Sequence, residues 1–275
     1  MNDNRADLPR VLTVAGSDSG GGAGIQADIK VITCLGGYAM SAITALTAQD
    51  TRGVWGVHPI PADFVAQQMD LCFGDIGVDA AKTGMLCNAE IVRAVAAVFR
   101  KHAVRNLVVD PVMFSKSSHR LLDPAAESAL IAELLPLATV VTPNLAEAGR
   151  LAGFEVADLD AMRRAARVIK NMGPRAVLVK GGHLSGLARD LLFDGEGFLE
   201  LPCERIDTKN THGTGCSFSA ALATELGRGL PLHEAARRAK RFITSAIRHS
   251  LPLGRGCGPT NPLAGARAAE NGGDG

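Results

Sequence analysis

Two glycine-rich turns lie far apart in the chain, and both carry residue types at spacings that could do chemistry. The first, GSDSGGGAGIQAD, spans Gly16 to Asp28, with five glycines among Ser17, Asp18 and Ser19. A glycine inside a helix costs about 1 kcal/mol relative to alanine. Such a run is tolerated where backbone must approach a ligand closely; a plain tight turn is the alternative. Gly22 to Ala27 has the spacing of a dinucleotide fingerprint, which recurs by chance and needs an acidic residue closing the second strand. The only candidate is Asp50, which follows Gln49 in a loop-like stretch, so that reading is weak. The second turn, DTKNTHGTGCSFSAAL, spans Asp207 to Leu222 and leads from Thr211, Gly213, Thr214 and Gly215 into a small-residue helix. Free N–H groups at a helix start, with the positive end of its dipole, suit phosphate oxygens. No Gly-Lys-Ser/Thr follows, so this is not a Walker loop. An ordinary N-cap at Thr211 or Thr214 also fits.

The elements that must position these turns alternate. Val11 to Ala15 reads as a buried strand ending at Gly16, Ala23 to Leu35 as a helix closed by Gly36 and Gly37. Met40 to Thr47 and Val54 to Ile60 read as strands, with a helix from Pro61 through Phe73. Val78 to Lys82, Asn106 to Asp110, Thr139 to Thr142 and Ala176 to Lys180 are further strands, separated by helices at Ala89 to Lys101, Pro124 to Leu135 and Leu159 to Met172. Leu191 to Phe193 and Phe198 to Leu201 suggest a hairpin, followed by helices at Thr214 to Arg228 and Leu232 to Ser250. Alternation of this kind gives a mostly parallel sheet covered by helices on both faces, with ligands beyond the carboxyl ends of its strands. No linker divides the chain, so residues 1–263 are expected to form one domain. Residues 264–275, rich in Ala, Gly and charge, are expected to be a disordered tail.

Composition excludes several function classes. The 275 residues carry 29 basic and 28 acidic side chains, a net charge of +1 that attracts neither nucleic acid nor an anionic membrane. Hydrophobic residues make up 47% and aromatics 4%, which calls for an Ala, Val, Leu and Ile core between helices and a sheet. The six cysteines show no CxxC pair or zinc spacing, and no stretch approaches the roughly 18 apolar residues of a membrane span. Met1 to Pro9 lacks the apolar stretch of a signal peptide, and a reduced cytoplasm is the expected compartment.

Seven segments occur in register: GSDSGGGAGIQAD, TALTAQDT, AKTGML, DPVM, TPNLAEA, VKGGH and NTHGTGCSFSAAL. Together they resemble the motifs of the hydroxymethylpyrimidine and phosphomethylpyrimidine kinases of thiamine biosynthesis, from about Val11 to Pro262. These enzymes belong to the ribokinase-like superfamily, so the resemblance implies a three-layer α/β fold. It implies phosphoryl transfer from ATP with Mg2+ to 4-amino-5-hydroxymethyl-2-methylpyrimidine, then to its monophosphate, by a homodimer. Gly16, Asp28, Gln49 and Met85 would hold the pyrimidine, the Gln49 amide pairing at once with a ring nitrogen and the exocyclic amine. Asp110, Asn144, Glu147, Lys180, Thr211 and Thr214 would hold ATP, with Asn144 and Glu147 positioning magnesium through water. Plainer roles stand beside these: Gln49 as a solvated loop residue, Asn144 as an N-cap, Lys180 snorkelling at a strand end.

Gly213, Gly215 and Cys216 would carry catalysis. The superfamily's sugar kinases place an aspartate base in GAGD where this chain has Cys216 in GTGC, and the pyrimidine-kinase branch resembles it in carrying cysteine. A helix N-terminus lowers a thiol's pKa, so a thiolate could accept the hydroxymethyl proton; otherwise Cys216 is a small residue beside substrate. The sequence departs from the family at Ser115 to Ser118, where AKSG is common and a stiffer flap is expected. Asp50 replaces an asparagine, and GPTNP (Gly258 to Pro262) replaces a histidine-aromatic ending.

Overall fold

Strand β1 (Arg10–Asp18) is buried along nearly all its length, which demands neighbours at both edges and both faces. The computed structural model, which describes residues 8–113, 123–182 and 188–271, supplies them. On one side lie β2 (Tyr38–Gln49) and β3 (Val54–Pro59); on the other follow β4 (Ala80–Thr83), β5 (Leu107–Val109), β6 (Val140–Val141), β7 (Val177–Val179), β8 (Ala188–Phe193) and β9 (Phe198–Cys203). The order is β3-β2-β1-β4-β5-β6-β7-β8-β9 among the described residues. Strands β2, β1, β4, β5, β6 and β7 run parallel, and β3, β8 and β9 are antiparallel additions. The order reverses at β1, because β2 lies to one side and β4 to the other, so a crevice opens beyond its carboxyl end.

Successive side chains of each central strand face opposite ways, and the residues follow that period. Leu12, Val14, Leu107, Val109 and Val141 enter one core; Val11, Val108, Val140 and Leu178 enter the other. The first core is closed by α2 (Ala62–Leu71), α3 (Ala89–Lys101), α4 (Pro124–Ala129), α5 (Leu145–Ala152) and α6 (Leu159–Lys170). The second is closed by α1 (Gly24–Cys34), α7 (Thr214–Gly227), α8 (Leu232–Arg248) and α9 (Pro262–Asn271). This is the three-layer arrangement expected from the sequence.

The differences are local. The helices begun at Ala62 and Pro124 each end in a π-helical turn, Cys72–Ile76 and Leu130–Leu134. Most of the stretch expected to be a disordered tail is helix α9. Ala266 is buried there, and a Cβ at Gly265 would press on the Phe242 ring, so α9 covers an aromatic side chain of α8. The flap residues Ser115 to Ser118 lie outside the described residues.

Candidate active site

Asp18 organises the first glycine turn. Its carboxylate accepts from the N–H groups of Gly20 (2.8 Å), Gly22 (3.1 Å) and Ala23 (2.8 Å), so these donors are turned inward and not toward a phosphate. It also accepts from Nε2 of His212 at 2.9 Å, which ties the first turn to the second. Burial opposes the charge on Asp18, but the bonds from His212, Ala23 and Gly20 prevail and hold its carboxyl below the usual range. The loop glycines thus serve a close approach, and part of what they approach is the other loop. Gly213 has φ +77, and a Cβ there would collide with the carbonyl of Gly22. Only glycine meets both demands.

Behind Gly213, α7 starts without any side-chain cap. The expected alternative, a threonine N-cap, is not what forms: Gly213 is the N-cap residue, and the Thr214 hydroxyl donates to the Thr211 carbonyl at 2.8 Å. The first turn of α7 therefore keeps N–H groups and the positive dipole end facing the crevice. The GPTNP segment backs this turn. The His212 N–H donates to the Gly258 carbonyl at 3.0 Å, and Thr260 Oγ1 lies 3.2 Å from Ser217 Oγ.

The polar residues at the strand ends converge on the same crevice. Asp110, just after β5, is 3% exposed and accepts from Lys180 Nζ at 2.8 Å and Thr142 Oγ1 at 3.2 Å. Lys180, just after β7, is largely buried and does not snorkel. Burial works against its charge, yet the Asp110 and Glu147 carboxylates outweigh it and raise its pKa. Asn144 and Glu147 form a capping box at the start of α5: Asn144 Oδ1 accepts from the Glu147 N–H at 2.9 Å, and Glu147 Oε2 accepts from the Asn144 N–H at 2.8 Å. The structural role of Asn144 is thus real, but each oxygen retains accepting capacity toward the crevice. Burial and the nearby Asp110 push Glu147 up to about 7, against the pull of Lys180.

Magnesium favours few carboxylates and keeps several waters. Two carboxylates and one amide oxygen at the crevice suit that outer-sphere mode, and no cluster of three or more His, Cys, Asp or Glu that could hold a metal directly occurs among the described residues.

Asp28 is a correction. It does not reach the crevice but is fully buried beneath it, paired with the equally buried Lys82 at 2.8 Å and accepting from Thr13 Oγ1 at 2.6 Å. The resemblance that implied Asp28 carries over a position in the chain, and a position does not tell a lining residue from one on the inner face of α1. Among the described residues Asp28 is the carboxylate that Lys82 pairs with, so Asp28→Asn strands a buried ammonium. We expect it to cost about 3–5 kcal/mol in urea unfolding, and adding Lys82→Met to recover most of that. Equal midpoints for parent and single variant would discard the pair as a stabilising unit.

Cys216 is half-buried in the first turn of α7. The expected fall in its pKa does not occur. Removal from water and the carboxylates of Asp28 and Asp110 push the thiol up to about 11, outweighing the ammonium of Lys82 and the N–H of Gly24. Asp50, the other departure, turns away to bond the Arg52 guanidinium at 2.7 Å.

Two cavities result. Gly16, Gln49 and Met85, at the ends of β1, β2 and β4, line the first together with Cys216, Asp110 and Glu147. The second has an apolar wall of Phe218, Ile243 and Ile247 and includes Thr211. Asn144, Lys180, Thr214 and Gly215 line both, so the cavities adjoin at the start of α7. Gln49 and Cys216, 167 positions apart by their numbers, thus share one cavity. Sequence reasoning missed Asp18, His212 and Lys82. The direct neighbours of the glycines, aspartate in GSDSG and histidine in THGTG, were the available signal.

A sequence model of the family described as phosphomethylpyrimidine kinase matches residues 18–261. The thiamine biosynthesis bifunctional protein ThiED of Geobacter sulfurreducens is 55% identical over 267 residues, 96% of this chain and 54% of that protein. The chain thus spans about half the length of that relative. The hydroxymethylpyrimidine/phosphomethylpyrimidine kinase of Rhizobium meliloti is 52% identical over 254 residues, 91% of this chain and 95% of the relative. Among solved structures, an ADP complex of Bacillus subtilis pyridoxal kinase superposes with a TM-score of 0.88 at 44% identity, covering 94% of this chain and 98% of the other. With a family match across more than half its length, and a geometry of adjoining cavities at a helix N-terminus, this chain belongs to the phosphomethylpyrimidine kinase family.

Proposed function

We propose that the protein transfers the terminal phosphate of ATP to the hydroxymethyl group of the aminopyrimidine and then to the resulting monophosphate, as the thiamine-pathway relatives are named for doing. The observation that carries this reading is the adjoining of the two cavities at Lys180, Thr214 and Gly215. The smaller-ring site beside Gln49 and Met85 takes the pyrimidine; the apolar wall of Phe218, Ile243 and Ile247 takes adenine. The triphosphate then crosses the uncapped start of α7, where N–H donors and Lys180 neutralise charge that develops on the transferred group. Asn144 and Glu147 would hold magnesium, and the ion would supply charge neutralisation on the phosphates. Cys216, next to Gly215, faces the attacking hydroxyl, and we assign it the proton.

A second reading, a pyridoxal kinase, is favoured by the likeness to the Bacillus subtilis structure, because pyridoxal also carries a hydroxymethyl on a six-membered nitrogen ring. Incubation with ATP, magnesium and each alcohol, followed by mass analysis, separates the two. The pyrimidine is expected to give mono- and diphosphate at a kcat/KM at least about tenfold above pyridoxal. No phosphorylated pyrimidine would reject the main reading. Among the described residues no helix is long and apolar enough to cross a membrane. We assign the protein to the cytoplasm. We also assign a homodimer, for which Trp55 on edge strand β3, 70% exposed, offers apolar surface; a monomer in sedimentation at micromolar concentration rejects it.

A further inference from the structure

The amide of Gln49 can pair with a ring edge in two opposite senses, and its surroundings select one. His212 Nε2 lies 2.9 Å from Asp18 Oδ2 and 3.3 Å from the Gln49 Nε2 position, and the oxygen and nitrogen of an amide exchange places by a half-turn. Asp18 is 3% exposed and already accepts three backbone N–H groups, so as a carboxylate it offers only acceptors. His212 Nε2 must therefore carry a proton and donate it to Asp18, whether the ring is neutral or charged. An amide nitrogen facing that N–H would set donor against donor. On the other side, Thr47 Oγ1 lies 3.2 Å from the Gln49 Oε1 position and 2.9 Å from the Ser17 carbonyl. The Thr47 hydroxyl has one proton, which the carbonyl can only accept, so Thr47 meets the amide as an acceptor. With the amide turned by half a turn from that placement, its oxygen shares the His212 N–H with Asp18 in a three-centre bond and its NH2 donates to Thr47, so no donor meets a donor.

We infer that the Asp18–His212 pair fixes the direction of the Gln49 amide and so makes His212 a positioning residue that selects an amino edge over an oxo edge on the pyrimidine. This rests on the function proposed above. In the fixed sense, Gln49 Oε1 has one lone pair for its share of the His212 N–H and one for an exocyclic N–H, while its NH2 has one hydrogen for Thr47 and one for a ring nitrogen. An amino group beside an unprotonated ring nitrogen matches both. An oxo group beside a ring N–H presents the reverse pattern and meets acceptor against acceptor and donor against donor. The orientation agrees with the chemistry at the next carbon. Under the proposed function the hydroxymethyl lies against Gly213 to Cys216, and His212 directly precedes that turn in the chain, so the amino group adjacent to the hydroxymethyl falls on the His212 side and the ring nitrogen on the Thr47 side. A site built from fixed donors and acceptors rejects a mismatched edge strongly, whereas an amide free to turn accepts either.

The test compares kcat/KM for the aminopyrimidine alcohol and its oxo analogue in the parent, His212→Ala and His212→Gln. The parent is expected to prefer the amino compound by at least about 100-fold. His212→Ala should lower that ratio by about tenfold or more, mainly through KM, because the freed amide now turns to meet the oxo edge. His212→Gln keeps an N–H at the position of Nε2 and should restore most of the ratio. A role confined to holding the two loops together would depress both substrates alike and leave the ratio unmoved. A ratio in His212→Ala within threefold of the parent, with the parent active on the amino compound, overturns the inference alone. A parent inactive on both alcohols overturns the proposed function and this inference with it.

Discussion

Lys180→Met is expected to lower kcat by about 1,000-fold, with the fold intact, because it removes a preorganised cation from the point where the two cavities adjoin. Lys180 Nζ is 2.8 Å from Asp110 and so close to the start of α7 that a Cβ on Gly215 would lie 3.2 Å from it. Two effects act in the same direction. The developing charge on the transferred phosphoryl loses its partner, and Asp110, 3% exposed, is left as an uncompensated carboxylate that repels the triphosphate. Lys180→Arg should not rescue turnover, since a planar guanidinium cannot occupy the space of a compact ammonium against Gly215. Adding Asp110→Asn to Lys180→Met should recover nucleotide affinity but not kcat. Steady-state kinetics beside binding of a non-hydrolysable nucleotide measure both. A kcat for Lys180→Met within tenfold of the parent removes Lys180 from the chemistry.

The sequence made the scaffold legible where one physical signal dominated. Val11 to Ala15 and Ala176 to Lys180 are short β-branched or aliphatic runs ending in glycine or charge, and β1 and β7 form there. Ala89–Lys101 matches α3 to the residue because Asn88 caps it, accepting from the Ile91 N–H at 2.9 Å, and an apolar stripe runs its length. Helix α9 was not legible, because PLAGARAAEN has little amphipathic pattern and is ordered by what it covers on α8. The π-helical ends of the helices begun at Ala62 and Pro124 likewise depend on tertiary packing.

At the site, most residues that the resemblance implied sit at strand ends, and every parallel strand delivers its next residues to the same edge of the sheet. Gln49, Met85, Asp110, Asn144 and Lys180 all follow that rule. Asp28 does not, because it sits inside α1, and which face of a helix turns inward is set by a rotation that a matching motif position does not reveal. The Asp18–His212 bond joins positions 194 apart in the chain and exists only once two loops meet. The pKa of Cys216 failed for a related reason. A helix start was visible in the sequence; the buried carboxylates of Asp28 and Asp110 beneath it were not.

Cys216→Ala is expected to lower turnover by on the order of 100-fold at pH 8, the ordinary worth of a general base, while nucleotide binding survives. The raised thiol makes the role testable by pH. With a pKa of about 11, only about one molecule in 10,000 carries thiolate at neutrality. If that thiolate takes the hydroxymethyl proton, the parent's kcat should climb nearly tenfold per pH unit from 6 to 9, and Cys216→Ala should lose this slope as well as the rate. Stability moves in the opposite sense. The folded pKa lies above the ordinary value of 9.0, so the stability gained by keeping the thiol protonated is full below pH 9 and drains away as pH rises toward 11. The alanine variant, lacking the group, should show less of that alkaline loss in urea unfolding. A parent rate flat between pH 6 and 9, with Cys216→Ala within threefold of it, would falsify the base assignment. Catalysis would then rest on alignment at the start of α7 and on the charge of Lys180.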